Sequence, residues 1–316
     1  MVFIEKEAKN LQPYVAPRHY TASARAAMIH ILAAKKRLDP RGILLPAYIG
    51  LSKIEGSGVF DPIRTTGIPH AFYRVDTRLR PDVDALEAQL KTGQYQLVFL
   101  IHYFGVPQVD VERFTALCHR YGVQIIEDCA HTLLGGLGGK RLGTYGDYAI
   151  FSVHKSIAAE DGGFFLDNRG ELADVLLDAA SCISARTLAT LASTDVLAAS
   201  EQRLRNYERV AGWVRDLPGV ELLFERIPEH AVPLNCPVIV LDGKREALYF
   251  ALIEAGVLPT ALYHTLIPEI SHTQFADSAY VSSNILNLPT HPDIAQDDFA
   301  RYEAVLNAAI HEVVSA

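Results

Sequence analysis

Three short stretches of this 316-residue chain carry side chains suited to chemistry. Glu127, Asp128 and His131 place two carboxylates and an imidazole directly after the apolar run Val123–Ile126. Ser152 and Lys155 end the apolar run that begins at Tyr148, shortly before the pair Gly162-Gly163. Thr21-Ala-Ser-Ala-Arg25 leads into a stretch rich in helix formers. In an open α/β sheet, groups at the carboxyl ends of neighbouring strands meet at one edge, where ligands bind. An acid, a hydroxyl and an amine at that edge, beside the first turn of a helix, can hold a phosphorylated aldehyde that carries a ring nitrogen.

Each requirement has a physical reason. The amine forms the imine that tethers an aldehyde. A carboxylate keeps a pyridine nitrogen protonated, so the ring can accept carbanion density. A hydroxyl and the unpaired amides of a helix N-terminus take a phosphate. Pyridoxal 5'-phosphate (PLP) has all three features. Lys155, Asp128, and Ser152 with the turn at residues 23–25 are therefore the expected tether, ring partner and phosphate cradle.

The elements that must position these groups follow from periodicity. A helix is expected over residues 23–37, opened by a capping serine and closed by basic residues. Strands are expected at Ile43–Leu45, Ala71–Val75, Leu97–Phe104, Val123–Ile126, Tyr148–Val153 and Gly162–Leu166. Helices from Pro81 to about Leu90 and from Asp110 to Gly122 fall between them, a pattern of βαβ units and a mainly parallel sheet. The six glycines between Gly135 and Gly146 suggest a hairpin. Their Gly-Leu-Gly-Gly-Lys run lacks the spacing of a phosphate loop.

A helix over residues 195–217, stopped by Pro218-Gly219, leads into a smaller α+β region. Strands are expected there near Val220–Phe224, Pro237–Leu241 and Thr260–Tyr263, with helices at Lys244–Ala255 and Gln296–Val313. The expected division is a large domain over 1–195 and a small one over 196–316.

Composition narrows the function classes. With 29 basic against 37 acidic residues the net charge is −8. No Lys/Arg stripe of the kind that grips phosphate backbones is present, which argues against a nucleic-acid partner. The four cysteines, Cys118, Cys129, Cys182 and Cys236, form no metal-ligating spacing, so no metal and reduced thiols are expected. The charged N-terminal residues do not read as a signal peptide, and no apolar run is long enough for a membrane helix. A soluble cytoplasmic protein is the expectation.

Larger motifs make the pattern more specific. Ile-His-Tyr-Phe-Gly-Val-Pro (101–107), Ile-Ile-Glu-Asp-Cys-Ala-His (125–131), Gly-Lys-Arg-Leu-Gly-Thr-Tyr-Gly-Asp (139–147) and Phe-Ser-Val-His-Lys-Ser-Ile-Ala-Ala-Glu-Asp-Gly-Gly (151–163) together resemble the DegT/StrS family of PLP-dependent sugar aminotransferases. Thr21-Ala-Ser-Ala-Arg-Ala-Ala, Leu45-Pro-Ala-Tyr48, Glu254-Ala-Gly-Val and Ile285-Leu-Asn-Leu-Pro-Thr-His291 extend the resemblance over nearly the whole chain.

The resemblance implies an α/β, type I aminotransferase fold with a large PLP domain and a small C-terminal domain. It implies a homodimer that moves an amino group, usually from glutamate, to a keto-sugar or similar carbonyl compound. By the same resemblance Lys155 binds the cofactor and moves protons, Asp128 faces the ring nitrogen and His131 lies near the ring hydroxyl. Ser152, Ala24 and Arg25 hold the phosphate, and Tyr48 stacks on the ring.

Three features depart from the family pattern. Ser152 and Lys155 are closer together than usual, Ala24 replaces a glycine, and no Gly-Tyr-Asn-Tyr-Arg-like segment follows the lysine. A non-catalytic relative with a binding role is one alternative. Another PLP chemistry, such as the deoxysugar dehydration of relatives with histidine in place of the lysine, is a second.

Overall fold

The computed structural model describes residues 18–51, 58–172 and 181–313. The N-terminal residues read above against a signal peptide lie outside them. Along the chain run β1 (Arg18–Thr21), α1 (Ala24–Leu38), β2 (Gly42–Pro46), α2 (Asp61–Thr66), β3 (His70–Tyr73), α3 (Val83–Leu90) and β4 (Tyr95–Ile101). Then come α4 (Val111–Arg120), β5 (Gln124–Asp128), β6 (Gly136–Leu137), β7 (Lys140–Arg141), β8 (Tyr148–Ser152), α5 (Val153–Ser156) and β9 (Gly163–Asp167). The remainder holds α6 (Ala185–Ser193), α7 (Val196–Arg215), β10 (Val220–Leu222), β11 (Cys236–Val240), α8 (Arg245–Glu254), α9 (Ala276–Asn284), β12 (Ile285–Leu288) and α10 (Gln296–Val313).

The main sheet has the order β1-β9-β8-β5-β4-β2-β3. Strands β8, β5, β4, β2 and β3 are parallel, while β9 runs antiparallel to both β8 and β1. Its central strands are buried along nearly their whole length, as in a sheet covered on both faces. Helix α1 begins where Ser23 accepts a hydrogen bond from the Ala26 amide, and its buried stripe of Ala27, Met28, Ile31 and Leu32 packs onto the core.

A second apolar cluster lies under an antiparallel sheet of order β10-β11-β12, where α7, α8 and α10 contribute Val210, Val214, Leu248, Phe299 and Leu306. No helix among the described residues is long and apolar enough to cross a membrane.

Two expected strands differ. The expected strand over 97–104 ends at Ile101, because Phe104 and Gly105 both adopt positive φ and turn the chain. A Cβ on Gly105 would lie 2.5 Å from the Val232 carbonyl oxygen and 2.7 Å from that of His131, so the turn needs glycine. Thr260 makes only a single bridge to Asn287, and Tyr263 has φ 64°, so no strand forms over 260–263. The third strand of the small sheet is instead β12. The glycine-rich run does form a hairpin, β6 against β7, with Gly138 and Gly139 left-handed at the turn.

Glu171 ties the N-terminal helix to the sheet. Its carboxylate accepts from Tyr148 Oη at 2.6 Å, Lys35 Nζ at 3.2 Å and Gln124 Nε2 at 3.3 Å. Burial pushes its carboxyl up, but these donors outweigh it and hold the group at about 2, below its ordinary 4.5. A folded-state value below the unfolded one adds stability above about pH 5, and that stability drains away as pH falls toward 2. With a third of the side chain exposed, screening limits the contribution to about 1 kcal/mol. Glu171→Gln should therefore flatten the acid limb of stability against pH and leave the neutral limb lower, as followed by urea midpoints.

Candidate active site

Parallel register brings the expected groups to one edge. Ile101 pairs with Asp128, and Asp128 with Ile150, so β4, β5 and β8 finish side by side. Ser152, the last residue of β8, pairs with Gly163, the first of β9. A cavity opens at this edge, lined among others by Ala24, Arg25, Asp128, His131, Ser152 and Lys155. Six of the seven residues expected at the cofactor thus share one cavity.

The seventh, Tyr48, does not line it. Its ring is fully buried against Tyr103 and Tyr263, at centroid distances of 5.4 and 5.3 Å, and its carbonyl accepts from Tyr103 Oη at 2.6 Å. The Tyr263 ring, on a residue with left-handed backbone, touches Tyr48 and itself lines the cavity. His102 and His154 line it as well. No local sequence pattern marks Tyr263. His102 could have been found, since it follows β4 as Asp128 closes β5.

Glu127 and Asp128 are adjacent but do different things, because successive side chains of a strand point to opposite faces. The Glu127 carboxylate, fully buried, accepts from the amides of Gly143 (2.9 Å), Tyr145 (2.8 Å) and Gly146 (2.6 Å) and from His102 Nε2 (2.9 Å). Asp128 accepts at Oδ1 from the Ala130 amide at 2.8 Å and faces the cavity. Burial pushes the Asp128 carboxyl above its usual range, against the pull of the Ala130 amide, Lys155 and His102. A cationic ring nitrogen placed against it would restore the ionised form.

Lys155 rides on α5, the single turn that follows β8, and its Nζ lies 3.0 Å from His131 Nε2. The short spacing after Ser152 therefore leaves the amine inside the cavity. Burial lowers its proton affinity, Asp128 opposes that, and Arg25 adds to it. His131 is held far below its ordinary value by burial, with Lys155 adding to the effect. The imidazole is thus neutral.

The cradle suits a phosphate. A Cβ on Gly163 would fall 2.4 Å from the Ala24 nitrogen and 2.7 Å from the Phe151 carbonyl oxygen, so glycine lets the first turn of α1 sit directly on β9. The first-turn amides of a helix have no carbonyl of their own to donate to. Arg25 reaches across Gly58 at the cavity wall, with its Nε 3.3 Å from Asp61 Oδ2. A carboxylate, a primary amine, a neutral imidazole, a hydroxyl and a helix N-terminus are the donor set that PLP requires, and the residues present fit it.

Comparison with known proteins agrees with this chemistry. The family model for the DegT/DnrJ/EryC1/StrS aminotransferase family matches residues 57–185. The chain is similar to a UDP-N-acetyl-3-dehydro-alpha-D-glucosamine 3-aminotransferase of Acidithiobacillus ferrooxidans, with 26% identity over 92% of this chain and 83% of that protein. A shorter region, 26% of this chain and 21% of the relative, is 32% identical to GDP-perosamine synthase of Vibrio cholerae.

Among solved structures, Spr1654 of Streptococcus pneumoniae in its PLP form superimposes with a TM-score of 0.79 at 15% identity, over 94% of this chain and 88% of that one. The aminotransferase TlmJ of Streptoalloteichus hindustanus gives 0.77 at 20% identity, over 95% and 87%. These likenesses show the fold, that of the PLP-dependent sugar aminotransferases.

Proposed function

We propose, on the premise that residues 57–185 belong to the DegT/DnrJ/EryC1/StrS aminotransferase family, that this protein is a PLP-dependent enzyme moving an amino group from an amino acid to a keto-sugar. The observation that carries the reading is the convergence of Lys155, Asp128, His131 and Ser152 on one cavity at the carboxyl edge of the sheet. A nucleotide-linked 3-keto-sugar is the acceptor favoured by the name of the Acidithiobacillus relative. Glutamate is the donor we favour, as in most of the family.

Bound in the cavity, PLP supplies a protonated ring that accepts the charge left when a proton leaves the donor's α-carbon. Lys155 would hold the cofactor through its amine and would serve as the acid–base group, taking and returning a proton at Nζ. Its lowered proton affinity leaves more of the amine free to act as a base near neutral pH. Asp128 holds the proton on the ring nitrogen. His131 would lie near the ring hydroxyl, and Ser152 with the amides of Ala24 and Arg25 would hold the phosphate.

In our reading the chain divides at residues 195/196 and works as a cytoplasmic homodimer whose partner completes the sugar pocket. That partner contact would differ from the family's, since no Gly-Tyr-Asn-Tyr-Arg-like segment follows Lys155.

The test is spectral. Purified protein titrated with PLP should develop a visible absorbance band that glutamate bleaches, and a nucleotide-linked 3-keto-sugar should restore it. Asp128→Ala should bind PLP but slow the bleaching by about 10²–10³-fold, the typical loss when one preorganised electrostatic partner is removed. A band that no amino acid bleaches would overturn the transferase reading and favour a binding role.

A further inference from the structure

Two hydrogen bonds at His131 have a consequence for Lys155. The ring nitrogen Nδ1 lies 3.0 Å from the amide nitrogen of Phe104, and Nε2 lies 3.0 Å from Lys155 Nζ. A main-chain amide can only donate, so Nδ1 must be the unprotonated nitrogen. A neutral imidazole then carries its proton on Nε2. Rotating the ring by half a turn would set carbon against both partners, so the amide fixes the ring's orientation as well. We propose that the Phe104 amide locks His131 in the Nε2–H tautomer, aiming a hydrogen-bond donor at the lone pair of the Lys155 amine.

The Phe104 peptide is itself held from the other side. Its carbonyl accepts from the Leu234 amide at 2.7 Å, and the Leu234 carbonyl accepts from the buried Arg203 guanidinium at 2.7 Å. Phe104 has φ 56°, a conformation uncommon for a non-glycine residue, and its ring stacks on His131 with an interplanar angle of 24°. This left-handed turn aims an amide into the site from behind the imidazole. His131 is nearly fully buried, and burial keeps its ring neutral.

The other charged or titratable groups lining the cavity around the amine are His102 after β4, Asp128 from β5, Arg25 from α1, His154 beside it on α5, and Tyr263. Phe104 and His131 are thus positioning groups that favour the unprotonated, nucleophilic form of Lys155. The inference concerns the protein's own groups and stands apart from the transferase reading.

Two measurements on cofactor-free, full-length protein test it. In ¹⁵N-histidine NMR, the resonances lost in His131→Gln identify His131. They should report a neutral Nε2–H ring that does not titrate through about pH 6.5, where ordinary histidines do. An Nδ1–H ring, or one that titrates there, overturns the proposal.

Competitive acetylation, with the Lys155 peptide quantified by mass spectrometry, reads the amine directly. His131→Leu removes the donor and should lower Lys155 reactivity about tenfold at neutral pH, moving its midpoint upward. Gln can accept from the Phe104 amide with its oxygen and donate to the amine with its nitrogen, so His131→Gln should rescue reactivity. Equal losses in both variants, or no loss in His131→Leu, would refute the lock. If the leucine variant fails to fold, the NMR result on the wild-type protein still decides.

Discussion

Lys155→Ala should abolish the borohydride-stable link between protein and PLP and slow the amino-donor half-reaction by roughly 10²–10⁴-fold, the range that a positioned acid–base group contributes. The variant removes two functions at once. The covalent hold goes, but Asp128, Ser152 and the first turn of α1 remain, so PLP should still bind, more weakly. The proton carrier also goes, and no other primary amine lines the cavity among the described residues.

Small amines added to Lys155→Ala should therefore restore part of the rate, because the space left by the side chain admits them. Circular dichroism and urea midpoints should change little, since among the described residues the Lys155 side chain hydrogen-bonds only to His131. Trapping on a different lysine, or undiminished trapping in the variant, would remove Lys155 from its proposed role.

Much of this site is legible in the sequence, and the reason is local. Residues at the ends of parallel strands must arrive at one edge whatever the loops do, so Asp128 and Ser152 could be placed from apolar runs alone. Lys155 followed because a single helical turn cannot carry it far from Ser152. The Gly163 cradle was visible as a glycine pair, although its partner, the first turn of α1, lies far away in sequence.

What escaped depends on contacts between distant segments. Tyr48 is expected on the ring because Leu45-Pro-Ala-Tyr48 resembles the family's strand end with a stacking aromatic. Tyr263, distant in sequence, packs on Tyr48 and lines the cavity in its stead, and its carbonyl accepts from Ser282 Oγ at 2.8 Å. Nothing near residue 263 announces this. β12 was missed as a strand for a related reason: Ile285-Leu-Asn-Leu is short, and its pairing with β11 is what defines it. The expected strand at 260–263 had comparable propensity but no register in which to pair beyond one bridge.

The Glu127-Asp128 pair shows how two like residues side by side in the sequence take different roles. Two adjacent carboxylates past a strand suggest a shared acidic site, yet strand alternation sends them to different tasks. Glu127 replaces a missing piece of secondary structure. It satisfies three amides of the 143–146 loop, which no strand or helix pairs, and it takes the His102 ring in addition. Because His102 donates to Glu127 and also lines the cavity, this carboxylate fixes part of the site's wall without touching the ligand.

Glu127→Leu should accordingly cost about 3–5 kcal/mol, the range seen when one partner of a buried, fully hydrogen-bonded polar group is removed. Glu127→Gln separates geometry from chemistry. Its oxygen can still accept from Tyr145 and Gly146, and His102 can change tautomer to accept from the new amide. Gly143 cannot adapt: its N–H would face an NH₂ group, two donors with no acceptor between them. One unmet buried donor costs about 1–3 kcal/mol, so the glutamine variant should fall between wild type and leucine in urea midpoint. If Glu127 were instead an acid–base group, the glutamine variant would keep wild-type stability and lose activity. Equal midpoints for wild type and Glu127→Gln would therefore refute the structural role, whereas a graded loss, with turnover retained by the folded fraction, would establish it.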